Sequence, residues 1–96
     1  MRPDDEEVFK NDDFRCVYCG HDGRTFDGWK FVVVDHFKPR AKGGGDDLSN
    51  LKTACVICNL MKGAQEWPGI EEARKDIKEW HSKMHSYWEK VVKPLL

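Results

Sequence analysis

Ninety-six residues allow one small domain with a limited core, so an added constraint such as a bound metal is expected. There is no leader-like segment and no apolar run long enough to span a bilayer, which points to a reduced, cytoplasmic setting and no membrane. The net charge of −1 excludes a polycation, yet residues 28–63 carry six bases and three acids, against two bases and six acids in residues 1–13; the positive excess falls mid-chain, where a polyanion would sit.

The opening R-P-D-D-E-E combines a proline with four acids, the composition of a helix first turn, because acids complement the positive end of the helix dipole. A short helix is expected from about Asp4 to Asn11, with a frayed acidic terminus as the alternative. C-V-Y-C-G at 16–20 reads as a metal knuckle, two thiolates two residues apart with Gly20 letting the backbone turn beneath an ion. Residues 21–28 form a loop or hairpin turn, and the aromatic and β-branched run from Trp29 to Phe37 suits a strand leading into Asp35 and His36.

Proline, three glycines and two aspartates then stop the strand, leaving a loop of about a dozen residues, a length usually kept for function. Asn50–Ala54 is read as a return strand or turn, followed by a helix from about Cys55 to Lys62 that Gly63 caps. From Ile70, apolar residues recur at Ala73, Ile77, Trp80, Met84, Tyr87 and Val91, the alternating three-four spacing of a long amphipathic helix. Its stripe is expected to pack on the small core rather than to pair with a second copy, which favours a monomer over a homodimer. His81 and His85 are four apart but lack the intervening glutamate of a zinc-protease helix, so a solvated face is expected there.

Two metal sites with different chemistry are expected. Cys16, Cys19, Cys55 and Cys58 form two Cys-x-x-Cys pairs, and four soft sulfur donors suit a closed, tetrahedral, structural Zn²⁺ site. Since four thiolates complete it, His21 is not needed as a ligand. Asp35 and Asn59 offer oxygen donors that suit Mg²⁺ or Mn²⁺, which keep several waters beside substrate phosphates. A histidine, whose reference pKa is about 6.5, can accept a proton from water near neutral pH, and His36 is the candidate for that role. Adjacent residues of a strand face opposite ways, so Asp35 and His36 can share a site only if the strand ends, twists or bulges there. Lys38, Arg40, Lys42 and Lys62 surround this region in sequence and form a candidate phosphate-binding set.

The segment F-R-C-V-Y-C-G, the D-H-F-K-P motif, the G-G-G-D-D-L-S-N-L loop and the C-V-I-C-N-L-M-K helix, together about Phe14 to Gly63, resemble the HNH endonuclease family, the ββα-metal nucleases. The resemblance implies an α+β fold: a small ββα-metal core stabilised by a four-cysteine zinc site, with a short N-terminal helix and a long C-terminal amphipathic helix. A single nuclease domain is expected over 1–96, its core at about 14–63 and its helical extension at about 69–93. By this similarity His36 is the first letter of the motif and general base, Asn50 the middle letter that braces the loop and the histidine, and Asn59 the third. Asp35 is the other ligand of the catalytic metal. The expected function is metal-dependent hydrolysis of DNA phosphodiesters, with little intrinsic sequence specificity. The alternative is a non-catalytic, zinc-stabilised nucleic-acid-binding module, which would account for the cysteines and the basic loop but not for Asp35, His36 and Asn59 in register.

Overall fold

A computed structural model describes residues 5–96. The expected first residue of the N-terminal helix, Asp4, lies outside them. Helix α1, Asp5–Asn11, carries its acids in the first turn and Lys10 in the last, as the helix dipole favours, and buries Val8 and Phe9. It ends in a tight reversal at Asp13 and Phe14, both left-handed (φ 52 and 58), where the Phe14 amide donates to the Phe9 carbonyl at 2.8 Å. The cysteine knuckle follows, its turn closed by Gly20 N–H to Cys16 O at 2.9 Å with Gly20 at φ 81, a conformation that a side chain would strain.

The expected strand from Trp29 is shorter than its composition suggests. Thr25 caps a single helical turn, α2 (Phe26–Trp29), accepting from the Gly28 amide at 3.2 Å, and this local bonding takes Trp29 out of the strand. Strand β1 is therefore Val32–His36. It pairs antiparallel with β2, Leu51–Cys55, in a register running from Val32 opposite Cys55 to His36 opposite Leu51. The connecting loop contains 3₁₀ turns at Arg40–Lys42 and Leu48–Asn50. It folds back so closely at Gly44 that a Cβ there would lie 1.8 Å from the Lys38 carbonyl oxygen.

Cys55 caps helix α3, Val56–Lys62, and Gly63 ends it. Helix α4, Ile70–Tyr87, runs on through a π-helical turn (Trp88–Val92) and a 3₁₀ turn (Lys93–Leu95). Its first half closes the core: Ala73 and Ile77 are fully buried against Cys16, Tyr18, Ala54, Cys55, Cys58 and Trp67, with Ile70 and Trp80 packed on the edge. Arg74 reaches the Val17 carbonyl at 2.7 Å and ties the helix to the knuckle.

Only this first half of the stripe packs as expected. Met84, Tyr87, Trp88 and Val91 are exposed, because the seven-residue α3, about 10 Å long, can cover no more than the first turns of α4. At the other end, buried Thr53 joins α1 to β2, its amide donating to Asp12 Oδ2 at 2.7 Å and its hydroxyl to the Val8 carbonyl at 3.3 Å. Among the described residues no helix is long and apolar enough to cross a membrane.

Candidate active site and metal centre

The β1–β2 pairing and the α3 cap bring the two cysteine pairs together. The four Sγ atoms lie within 4.8 Å of one another, with Cys19 and Cys55 at 3.7 Å, and none is in a disulfide. A tetrahedron with Zn–S of about 2.3 Å has edges of about 3.8 Å, so the cluster fits a four-thiolate metal site with little rearrangement. Its electrostatics ask for a cation. Hydrogen bonds from Cys19 and Cys58 hold the Cys16 thiol well below its ordinary value, whereas the bond to Cys16 pushes Cys19 up to about 12 and Cys58 higher still. One thiolate forms readily; Cys19 and Cys58 resist until positive charge arrives.

His81 differs from the expected solvated face. Its Nε2 is 3.7 Å from Cys58 Sγ, because the α4 turn that buries Ile77 also carries His81 onto the cluster. His85 is exposed beside Glu89 at 3.5 Å, and His21 contacts the Gly28 carbonyl at 2.8 Å rather than the sulfurs.

At the end of β1, Asp35, His36, Arg40, Asn59 and Lys62 line one cavity of about 200 Å³. Strand β1 stops at His36, so the two neighbouring side chains can both reach it despite the alternation of a strand. Asp35 is buried; its Oδ2 accepts the Tyr18 hydroxyl at 2.5 Å and its Oδ1 lies 3.4 Å from Lys62 Nζ. Burial pushes the Asp35 carboxyl up, against the opposing pull of Tyr18 and Lys62. Burial, reinforced by the neighbouring carboxylate, pushes the Tyr18 hydroxyl far up, so it keeps the proton that it donates to Asp35. One buried carboxylate, an adjacent amide from Asn59 and open cavity volume suit a hard divalent ion that retains water.

His36 Nε2 lies 2.7 Å from Asp46 Oδ1, and Arg40 donates from Nη2 to the same oxygen at 2.9 Å. The hydrogen bonds from His36 and Arg40 hold the Asp46 carboxyl down at about 2. Asn50 braces the loop: its Oδ1 accepts from the Lys38 amide at 2.8 Å, and its Nδ2 donates to the carbonyls of Lys38 at 3.1 Å and Gly45 at 2.9 Å.

A family model described as HNH endonuclease matches residues 16–65, just over half of the chain. The chain belongs to the HNH endonuclease family. No curated protein and no solved structure matches it. The HNH segment contains all four cysteines together with Asp35, His36, Asn50 and Asn59, while α1 and α4 lie outside it.

One sequence-based assignment changes. Lys62, expected among the phosphate-binding cations, has a side chain 1% exposed, with its ammonium held between Asp35 and the His36 carbonyl at 2.9 Å. It neutralises Asp35 and fixes the end of β1. Asn50, expected to brace the loop and the histidine, bonds to loop backbone, and its link to the histidine segment is the Phe37 amide donating to its carbonyl at 2.8 Å. Lys38, Arg40 and Lys42 are exposed along the loop, as a phosphate-contacting set requires.

Two residues in contact with Asp35 and His36 escaped the sequence reading. Tyr18 passed as a spacer within Cys-x-x-Cys, although a phenol held between two cysteine ligands is buried and needs a hydrogen-bond partner, which is a usable signal. Asp46 passed as loop composition. The available signal was an acid within an otherwise cationic loop, ten residues from the histidine.

Proposed function

We propose that this HNH-family chain is a metal-dependent endonuclease that hydrolyses DNA phosphodiester bonds, working as one domain over residues 1–96 and as a monomer. The observation that carries this reading is the convergence of Asp35, His36 and Asn59 on one cavity that the exposed Arg40 also lines, with Lys38 and Lys42 exposed on the same loop.

In this reading the four cysteines hold Zn²⁺ as a structural ion, a closed site with no position for substrate. Asp35 and Asn59 hold Mg²⁺ or Mn²⁺, which when bound stabilises the charge that builds on the phosphate and on the leaving oxygen. His36 takes the proton of a water molecule as its oxygen attacks phosphorus; the phosphorus–oxygen ester bond breaks, and the leaving oxygen is protonated from solvent. Lys38, Arg40 and Lys42 contact phosphates on either side of the scissile bond, which gives affinity without sequence information. Asn50 keeps the loop that carries these cations at its distance from β1.

The test is incubation with supercoiled plasmid, with and without Mg²⁺ or Mn²⁺, beside a His36→Ala variant of matched zinc content. Metal-dependent nicking that disappears in the variant is expected. Cleavage at a similar rate in His36→Ala would remove the general-base assignment. A wild-type protein that binds DNA in low salt but never cleaves it would establish the non-catalytic binding module instead.

A further inference from the structure

We propose that Asp46 is a positioning residue for His36, its carboxylate holding the imidazole as the Nε2–H tautomer so that Nδ1 is the nitrogen that takes the proton from the attacking water. The catalytic clause rests on the nuclease reading; the tautomer clause does not.

Two polar atoms 2.7 Å apart have a proton between them. His36 Nε2 and Asp46 Oδ1 at that distance must share a proton, since two bare lone pairs would repel. Asp46 also accepts from Arg40 Nη2 at 2.9 Å and is held at about 2, so it is a carboxylate throughout the working pH range. The proton therefore belongs to Nε2. Arg40 Nε, 3.2 Å from the same nitrogen, cannot donate to an atom that already bears hydrogen, so the useful bond of the guanidinium is the one to Asp46.

Burial does not force this contact, because the Asp46 side chain is 58% exposed. Backbone placement does. Its neighbour Gly45 is pinned through its carbonyl by Asn50 Nδ2 at 2.9 Å, and its other neighbour Asp47 by the Asn50 amide at 2.8 Å. Asp46 thus sits between two fixed residues. From the opposite side, Lys62 Nζ holds the His36 carbonyl at 2.9 Å. Both ends of the histidine are anchored, which is how a general base keeps one ring nitrogen facing its water.

The experiment has two independent readouts. In zinc-loaded protein with ¹⁵N-labelled histidine, at a pH where the ring is neutral, the nitrogen shifts of His36 should show Nε2 protonated and Nδ1 bare. In Asp46→Ala the Nε2–H signal should lose its downfield, hydrogen-bonded position. A wild-type His36 protonated at Nδ1, or a spectrum that does not change in Asp46→Ala, would overturn the proposal whether or not the protein cleaves DNA. In plasmid cleavage, Asp46→Ala should lower kcat on the order of 10- to 100-fold with KM changed less than about twofold. Asp46→Glu should restore part of the loss, and adding Asp46→Ala to His36→Ala should cost nothing more. A change confined to KM would mean that Asp46 acts through Arg40 on substrate binding, and would sink the idea. Absence of cleavage by the wild type would strike the nuclease reading while the nitrogen shifts still decide the tautomer.

Discussion

Tyr18, placed between the two cysteines of the first pair, donates its hydroxyl to Asp35 Oδ2 at 2.5 Å, 17 residues away in the chain. Asn59 directly follows Cys58. Both proposed ligands of the catalytic ion are therefore positioned from the cysteine cluster, one by a hydrogen bond and the other by a peptide bond. Tyr18→Phe removes the bond and keeps the ring, which packs on Trp67 at 6.4 Å between centroids. A hydrogen bond to a charged group contributes about 1.5 kcal/mol, so the Mg²⁺ concentration for half-maximal cleavage should rise about 10-fold at unchanged zinc content. Metal titration of initial rates checks this; an unmoved half-saturation point would show that Tyr18 does not govern Asp35.

Removing the structural metal should unfold the centre of the molecule. Cys16, Cys55 and Cys58 are themselves part of the buried core, alongside Ala73 and Ile77, and structural zinc in small domains contributes on the order of 10 kcal/mol. Chelation should abolish the near-ultraviolet dichroism of the tryptophans. The pH dependence has a definite sign. Cys19, pushed up to about 12, and Cys58, raised further, keep their protons in the metal-free protein, so loading expels at least these two. Zinc affinity should accordingly climb at least about 100-fold per pH unit near neutrality. Competition titrations between pH 6 and 8 measure the slope, and a flat line would contradict the assignment of protonated thiols.

Lys62 and Asp35 form a buried ion pair, with side chains 1% and 6% exposed. Breaking such a pair from one side leaves an uncompensated charge, at a cost of about 3 kcal/mol or more, whereas replacing both partners is often neutral. Lys62→Met alone should therefore destabilise by about that amount. Because burial already raises Asp35, this penalty is absent at low pH and grows as pH rises through the carboxyl's folded pKa. The double variant Asp35→Asn with Lys62→Met should recover most of the loss while remaining inactive. Urea denaturation of the four species at fixed free zinc tests the coupling; additive single effects would mean that the pair is not a unit.

The parts of the fold that depend on local pattern were legible from residue order alone. The three-four spacing placed α4, the β-branched run placed β1, and the cysteine spacing predicted a cluster whose sulfurs lie within 4.8 Å. What was not legible depends on side chains crossing between elements. Lys62 reads as a surface cation until α3 is docked on β1; being three residues after Asn59 on the same helix face, it then necessarily meets Asp35. His81 reads as solvated until the packing angle of α4 brings it to Cys58. The short helix at Phe26–Trp29 was hidden for another reason: one capping hydroxyl at Thr25 outweighed the strand preference of Trp29.

The division of α4 into a packed and an unpacked half gives a contrast in magnitudes. Ile77 is fully buried, and truncating such a side chain removes transfer energy and leaves a cavity, together worth about 3 kcal/mol. Met84 and Val91 belong to the same periodic stripe but are 57% and 43% exposed, so their truncation should change stability by no more than about 0.5 kcal/mol. Urea midpoints of zinc-loaded Ile77→Ala, Met84→Ala and Val91→Ala check this directly. Equal losses at all three positions would mean that the distal stripe is covered in solution. Sedimentation of the same samples would then tell whether a second copy covers it, against the monomer proposed above, since only self-association makes the Met84 and Val91 effects depend on protein concentration.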